Sequence, residues 1–174
     1  MSSPETIKAA LERNVKVVAA RPSVGQGTAV TKITLHPGLS CDVEDGPWRF
    51  SVGMTEKYGG VNNGPNPGVY GRAALGACLS MGYAMWAARL EIPVRALTVE
   101  VRASYDVRGE LGIDDSIRPG YRDIVYVVTV ETEAPEADVQ RMLDHADRHS
   151  SWLDDLRNPV PVSREIHIVR RQPA

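Results

Sequence analysis

The sequence predicts an α+β fold in which a mainly antiparallel sheet surrounds one long helix. Three β-like segments come before an apolar helical segment, and two more follow it before a second helix and a last strand. Strands that follow one another without an intervening helix pair as antiparallel hairpins. The order β-β-β, α, β-β, α, β therefore predicts a single α+β domain covering residues 1–174.

The N-terminal segment carries the signals of a helix start. Ser3-Pro4-Glu5 combines a capping serine, a proline suited to the first helical position and an acid in the first turn. Apolar residues follow at helical spacing. We expect a helix or extension over residues 1–20 and the core of the domain over residues 21–170.

The segment from Thr28 to Val52 has β character. It predicts strands at Thr28–Leu35, Leu39–Glu44 and Trp48–Val52. Asp45-Gly46, between the last two strands, is a strong signal for a hairpin turn.

A loop of turn-forming residues, Tyr58 to Pro67, leads into a long helix predicted over roughly Val69 to Leu90. Only Arg72, Ser80 and Arg89 interrupt its apolar surface, and a helix that is apolar on nearly all sides is a core helix. Its uncharged stretch is shorter than the roughly 20 residues that a bilayer requires. The segment therefore predicts a buried central helix and no membrane span.

The second half of the chain continues with alternating apolar and polar residues from Leu97 to Asp106, as expected of a half-buried strand. A long glycine-containing connection, Val107 to Arg122, follows it. The remaining predicted elements are a strand Ile124–Thr132, a helix opening at Pro135-Glu136, a short segment around Trp152–Leu156 and a last strand Val160–Val169.

Charge and composition argue against several classes of partner. The formal net charge is −2 and the pI about 6.1. Because no basic stripe appears, we expect neither nucleic acid nor a membrane surface as a partner. The first residues lack the basic and apolar regions of a signal peptide. Two cysteines are too few for a disulfide framework, so we expect a cytoplasmic protein in a reducing compartment.

Cys78 lies in the long helix, in a distinctive neighbourhood. Gly59-Gly60 and Gly64-Pro65-Asn66-Pro67 precede the run Ala73-Ala74-Leu75-Gly76-Ala77-Cys78-Leu79. This arrangement resembles the central signature of the OsmC/Ohr family of osmotically inducible and organic hydroperoxide resistance proteins. In that family a glycine pair and an Asn/Thr-Pro lead into the helix that bears the reactive cysteine. The order of elements fits the family from about Arg21 to Val169.

The resemblance implies a fold and a chemistry. Family members are intertwined homodimers in which sheets from both chains wrap two cysteine-bearing helices, and the best-studied members reduce organic hydroperoxides. Cys78 would then be the catalytic nucleophile, which becomes a sulfenic acid that a second cysteine resolves. Since only a thiolate is nucleophilic, such a site must lower the pKa of the thiol.

The second cysteine of many relatives is absent from this sequence. By the resemblance, Ser150 stands at its position and Ser151 at that of a neighbouring proline. Serine cannot form a disulfide, so an external thiol would have to resolve the sulfenic acid. Cys41, in the second predicted strand, is not expected within the roughly 6 Å between Cα atoms that a disulfide requires.

The resemblance also implies a glutamate and an arginine that polarise the thiolate. Glu56 falls near the glutamate position, although it is equally well explained as a surface acid. Arg21 precedes the first strand, where it could reach a site from the partner subunit or simply be exposed. Arg72, in the cysteine helix, is a rival source of positive charge, and His149 borders Ser150 and could line the cleft.

His145 and His149 lie four residues apart on a predicted helix, a spacing that can bind zinc. A metalloprotease motif would place a glutamate directly after the first histidine, where Ala146 stands. We therefore expect no metal site and no cofactor.

Two functions remain open from the sequence. The first is a one-cysteine hydroperoxide reductase in oxidative-stress defence, in which Cys78 reacts and Glu56 and an arginine assist. The second is a non-catalytic dimer of the same fold that binds a small apolar or electrophilic ligand near Cys78. The retained signature favours the first, and the missing second cysteine favours the second.

Overall fold

The computed structural model describes residues 3–170, which form five α-helices and five strands. Two short 3-10 turns, Pro22–Gly25 and Glu56–Tyr58, complete the regular structure of that range. In chain order the elements are α1 Pro4–Ala20, β1 Lys32–His36, β2 Ser40–Asp45, β3 Trp48–Gly53, α2 Pro67–Leu90, β4 Ala96–Ser104, α3 Val107–Glu110, β5 Asp123–Glu131, α4 Glu136–Arg148 and α5 Ser151–Arg157.

Helix α1 begins where the sequence predicts. The Ser3 side chain caps it by accepting a hydrogen bond from the Thr6 N–H at 3.3 Å, which satisfies one of the free N–H groups at a helix start. The helix packs on α2, and Lys8 forms an ion pair with Glu91 at the end of α2. The N-terminal helix is confirmed.

Strands β1, β2 and β3 form one antiparallel sheet in the order β1-β2-β3. Asp45 pairs with Trp48 across the predicted hairpin turn, and Gly46 there has a φ of +51°, a conformation that suits glycine. Strand β1 begins at Lys32, four residues later than predicted. Lys32 pairs with Glu44, near the end of β2, so the residues before it have almost no strand opposite them.

Helix α2 is capped by Asn66, whose Oδ1 accepts from the Val69 N–H at 3.1 Å, and Pro67 occupies its first turn. One face of the helix is fully buried: Leu75, Leu79, Tyr83, Ala87 and Ala88. The opposite face is exposed, including Met81 at 61% and Met85 at 41%. The sequence predicted a helix buried on all sides, but only one face is buried, because no element within residues 3–170 covers the opposite face.

The second antiparallel sheet, β4–β5, covers the buried face of α2. Its register runs from Ala96 opposite Glu131 to Ser104 opposite Asp123. The inward side chains of both strands pack against the core of α2: Leu97, Val99, Val101, Ile124, Tyr126 and Val128. This sheet confirms the hairpin that the alternating pattern predicted.

Helices α4 and α5 pack on α2 beside the β4–β5 sheet and share its core. Met142 and Ala146 of α4 are almost completely buried against α2, and Leu153 of α5 joins the same core. Because α5 follows α4 after a single turn, its start is fixed against the middle of α2.

The last predicted strand is wrong for the described chain. Residues 160–169 form no strand and make no backbone hydrogen bonds with the rest of residues 3–170. Apolar side chains in this segment are exposed, with Val162 at 89% and Ile168 at 78%. Alternating apolar and polar residues favour a strand, but a strand forms only where a neighbouring strand pairs with its N–H and C=O groups.

Candidate active site around Cys78

The Cys78 thiol lies half-buried where α2 meets the start of α5. Its Sγ is 3.4 Å from Ser150 Oγ and 3.8 Å from Ser151 Oγ. The sequence predicted that Ser150 would stand beside Cys78, and the structure places the two side chains in contact across 72 residues of chain.

Ser150 has a second contact that fixes its hydroxyl. It is the N-cap of α5, and its Oγ accepts a hydrogen bond from the Leu153 N–H at 3.4 Å. The hydroxyl hydrogen is then free to be donated to the sulfur of Cys78. Ser150 is itself buried, at 6% exposure, so this geometry is shielded from competing water.

The backbone at the start of α5 adds further donors. The N–H groups of Ser151 and Trp152, at the first two positions of α5, also favour the thiolate of Cys78 and lower its pKa. N–H groups at the start of a helix lack partners within the helix and favour a negative charge. The sulfur is therefore surrounded by donors that stabilise its anionic form.

These contacts lower the pKa of the Cys78 thiol. Partial burial is the largest single influence and acts to raise the pKa, because it disfavours the charged form. The hydrogen bonds from Ser150, the Trp152 N–H, the Ser151 hydroxyl and the Ser151 N–H together outweigh it. A larger thiolate population is the property that makes a cysteine reactive.

A carboxylate one turn before Ser150 anchors this end of α4. Asp147 accepts hydrogen bonds from Tyr83 OH and Tyr126 OH, both at 2.6 Å. Tyr83 lies on α2 and Tyr126 on β5, so Asp147 joins three elements. Burial and the neighbouring Asp147 carboxylate raise the pKa of Tyr83 far above its usual range, so the hydroxyl keeps its proton and continues to donate.

Comparison with known proteins identifies the family. The family model described as OsmC-like protein matches residues 60–165, which is more than half of the chain and includes both Cys78 and Ser150. The chain belongs to the OsmC family. No curated protein sequence matches this OsmC-like protein.

Solved structures agree on the fold. An OsmC-like protein from Mycoplasma pneumoniae superposes with a TM-score of 0.67 at 14% identity, over 77% of this chain and 90% of that one. An organic hydroperoxide resistance protein OsmC from Legionella pneumophila gives 0.56 at 14% identity, over 76% and 90%. An organic hydroperoxide resistance protein from Elizabethkingia anophelis gives 0.57 at 16% identity, over 77% and 91%. At these identities the similarity shows that this OsmC-like protein shares their α+β fold.

The structure does not bring Glu56 and Arg21 to Cys78 within the described chain. Glu56 is exposed on the 3-10 turn Glu56–Tyr58, and Arg21 is exposed at the C-terminal cap of α1. Neither side chain forms a hydrogen bond or ion pair with Cys78 or with any other residue in the range 3–170; their hydrogen bonds are made by backbone groups near them in sequence. Arg72, the rival cation, is hydrogen-bonded to Tyr121 instead.

His149 adjoins the site but faces Trp86. Its Nδ1 lies 2.6 Å from the His145 carbonyl oxygen, and its ring centroid lies 5.0 Å from that of Trp86. His145 stacks on the same ring, also at 5.0 Å. The two histidines thus share an aromatic neighbour, and no group of three or more metal-ligating side chains suited to a metal ion occurs within residues 3–170.

Cys41 lies on β2 opposite Leu35 and Val52, and both cysteines are free thiols.

None of the helices in the described part of the chain combines the length and apolarity that crossing a bilayer requires.

Sequence reasoning missed two parts of this site. It treated Ser151 as the position of a proline, although Ser151 supplies both a hydroxyl and an N–H to the sulfur. It also gave no role to Asp147, which anchors the end of α4 through Tyr83 and Tyr126. A paired serine followed by Trp152 and two acids was the available signal for a helix start at Ser150, whereas the two tyrosine partners of Asp147 are remote in sequence.

Proposed function

We propose that this protein reduces organic hydroperoxides through Cys78 as its single reactive cysteine, with an external thiol completing the cycle. The observation that carries the proposal is the set of donors around the sulfur, led by Ser150 Oγ at 3.4 Å. Membership of the OsmC family and a fold shared with hydroperoxide resistance proteins support it. We propose a role in oxidative-stress defence in the cytoplasm, where reducing thiols are abundant.

The proposed reaction proceeds in three steps. The Cys78 thiolate attacks the distal oxygen of the hydroperoxide, the O–O bond breaks, and the departing alkoxide takes a proton to leave as an alcohol. Cys78 is then a sulfenic acid. A first external thiol displaces water from it to give a mixed disulfide, and a second external thiol releases the Cys78 thiol and leaves as the disulfide of the reductant.

The start of α5 is proposed to polarise the thiolate. Ser150, Ser151 and the Trp152 N–H already surround the sulfur within one chain. Glu56 and Arg21, both exposed in the single chain, are candidates for contacts made across a subunit interface. His149 is proposed to border the cleft from the end of α4.

We further propose that the protein is a homodimer. The face of α2 opposite the core exposes Val69, Ala73, Ala77, Met81 and Met85. The sheet β1–β3 also exposes large apolar side chains, with Leu35 at 66% and Trp48 at 71%. Contiguous apolar surface of this kind indicates an interface, and the segment 160–169 is available to pair with a second copy.

The catalytic proposal is tested by treating the purified protein with cumene hydroperoxide and analysing Cys78 by mass spectrometry with a sulfenic-acid trap. We expect a trapped sulfenic acid on Cys78, and thiol-dependent peroxide consumption that Cys78→Ser abolishes. Cys41→Ser is the matched control and should retain consumption. If no sulfenic acid forms, or if Cys78→Ser consumes peroxide at the same rate, the proposal is wrong.

The dimer is tested by light scattering of Met81→Glu. The charge would be placed in the exposed apolar face of α2, so we expect the dimer to dissociate, whereas Met81→Leu should remain dimeric. A monomeric unmodified protein would contradict the proposed assembly.

A second candidate function is ligand binding without turnover. Ser150 cannot resolve a sulfenic acid, and a cavity of about 400 Å³ lies beside Leu75 and Leu153, each three residues from Cys78 or Ser150. Its apolar side chains, which also include Ile124 and Leu156, would contact a small apolar ligand, although Arg118, Arg122, Asp123 and Arg157 line the cavity as well. Binding of such a ligand by a protein that forms no sulfenic acid would favour this candidate.

A further inference from the structure

Arg72 is a half-buried cation without an acidic partner. Its Nη1 donates a hydrogen bond to Tyr121 OH at 2.8 Å, and Tyr121 OH donates to the Gly68 carbonyl at 3.2 Å. Within residues 3–170, no carboxylate oxygen lies within 4.0 Å of its guanidinium. A guanidinium has five N–H donors, so most of them remain available for another acceptor.

The position of Arg72 on α2 increases the local positive charge. It lies in the second turn of a helix of 24 residues whose first turn contains no acid. A cation near the positive end of a helix is unfavourable unless a negative charge offsets it. Among the described residues, no carboxylate is in contact with Arg72.

A cavity of about 350 Å³ opens at this guanidinium. Its walls include Arg72, the aromatic side chains of Tyr58, Tyr105 and Tyr121, and Met54. Glu110 also lines it, but its side chain is exposed and forms no ion pair with Arg72. The volume is in the range of sites for small molecules, and apolar walls with a few polar groups are typical of such sites.

Gly68 keeps the space beside Arg72 open. A Cβ at this position would lie 3.3 Å from Arg72 Nη1 and 3.2 Å from Tyr121 OH. A larger side chain would therefore extend into the polar end of the cavity.

The cavity is separate from the Cys78 site. Six residues along a helix correspond to an advance of about 9 Å and a rotation of about 240°, so Arg72 and Cys78 face different directions from α2. Cys78 is not among the residues that line the cavity.

We propose that this cavity binds a small carboxylate with an aromatic or apolar body, whose carboxylate pairs with Arg72 and whose body lies against Tyr58, Tyr105 and Met54. Arginine recognises a carboxylate through two parallel N–H···O bonds. The tyrosines provide flat apolar surface for a ring.

The proposal is tested by titrating the full-length protein with benzoate and, separately, with benzamide, in an isothermal calorimeter. Benzamide has nearly the same shape but no charge. We expect benzoate to bind at least about tenfold more tightly, since a hydrogen bond to a charged group contributes more than one to a neutral group. Equal affinities, or no heat with benzoate, would overturn the proposal.

Variants locate the binding. Arg72→Gln should weaken benzoate at least about tenfold and remove the preference over benzamide. Arg89→Gln is the matched control, because Arg89 lies on the same helix over the Trp86 ring and outside the cavity. Cys78→Ser should bind benzoate normally, so this test and that of peroxide reduction fail independently. If Arg72→Gln folds and binds benzoate as tightly as the unmodified protein, Arg72 is not the carboxylate-binding residue. If Arg72→Gln does not fold, the proposal is tested by whether the unmodified protein binds benzoate more tightly than benzamide.

Discussion

Replacing Ser150 with alanine should raise the pKa of the Cys78 thiol. Ser150 Oγ is 3.4 Å from the sulfur and is the strongest of the contacts that favour the thiolate. A hydrogen bond to a charged group contributes about 1.5 kcal/mol at the lower end of its range. Since 1.36 kcal/mol corresponds to a factor of ten, we expect about a tenfold smaller thiolate population at pH values below the pKa.

The reaction rate should change less than the thiolate population. The intrinsic nucleophilicity of a thiolate rises with its pKa, with a Brønsted slope of about 0.4–0.5. The tenfold smaller thiolate population is therefore offset by thiolates that are each about threefold more reactive. Ser150→Ala should therefore react about threefold more slowly at low pH and about threefold faster at pH values above both pKa values. The pH–rate curves of the two proteins should cross.

The assay is the rate of reaction with 4,4′-dithiodipyridine as a function of pH, in a Cys41→Ala background so that only Cys78 reports. Ser150 also caps α5, so the variant loses about 1 kcal/mol of helix stabilisation. Ser3→Ala is the matched control, because it removes the N-cap serine of α1 and should leave the curve unchanged. Parallel curves, or a lower apparent pKa in Ser150→Ala, would refute the argument that Ser150 activates the thiol.

Two further predictions concern the same region. Ser150→Cys should form a disulfide with Cys78 after hydroperoxide treatment, detected by mass spectrometry without reductant, because the two side chains are already in contact; persistence of free thiols would show that the geometry does not permit the bond. Tyr83→Phe should lower the free energy of unfolding by roughly 1.5–3 kcal/mol in urea, since Tyr83 donates to a carboxylate from a buried position, and Tyr70→Phe, whose hydroxyl donates to a neutral carbonyl, should lower it less. Because the pKa of Tyr83 is raised, the folded protein keeps a proton above pH 10 that the unfolded chain loses. The contribution of Tyr83 to the free energy of unfolding is therefore complete below pH 10 and is lost as the pH rises further. Above pH 10, the free energy of unfolding of Tyr83→Phe should fall less steeply with pH than that of the unmodified protein.

The local elements of the fold were predictable because short-range signals specify them. The Ser3 cap and the Asp45-Gly46 turn each act on neighbouring residues, and the structure confirms both. Helix α2 begins at Pro67, two residues before the predicted Val69, because Asn66 caps it. The alternation from Leu97 likewise encodes which side chains of β4 face the core. The start of β1 was predicted too early because it depends on the length of β2, which is not a local property.

The last strand shows the limit of pattern alone. The segment 160–169 has strand-like alternation, yet its exposed valines and isoleucines have no partner in the described chain. Pairing depends on what lies beside a segment, and the sequence of one chain does not contain that information. The exposed face of α2 has the same explanation, because its residues are apolar as predicted and no element within residues 3–170 packs on them.

The candidate site was only partly predictable, for a related reason. Cys78 and Ser150 could be associated through a family resemblance, whereas the tyrosines that hold Asp147 come from α2 and β5 and meet only in the folded chain. Glu56 and Arg21 were chosen by position in sequence, and the structure leaves both exposed. Ser151 and the Trp152 N–H lie beside the sulfur within one chain, and their position in sequence gave no sign of that role.

The geometry separates two roles that a second cysteine would combine. Under the proposed mechanism, a thiol at position 150 would resolve a sulfenic acid, whereas the lowered pKa of Cys78 depends on donors at the start of α5, and serine is the better donor. The Ser150 oxygen accepts from the Leu153 N–H while its hydrogen remains available to the sulfur. Serine therefore keeps the thiolate stabilised and removes internal resolution. A sulfenic acid on Cys78 would then persist until an external thiol arrives, so overoxidation should depend on the concentration of that thiol.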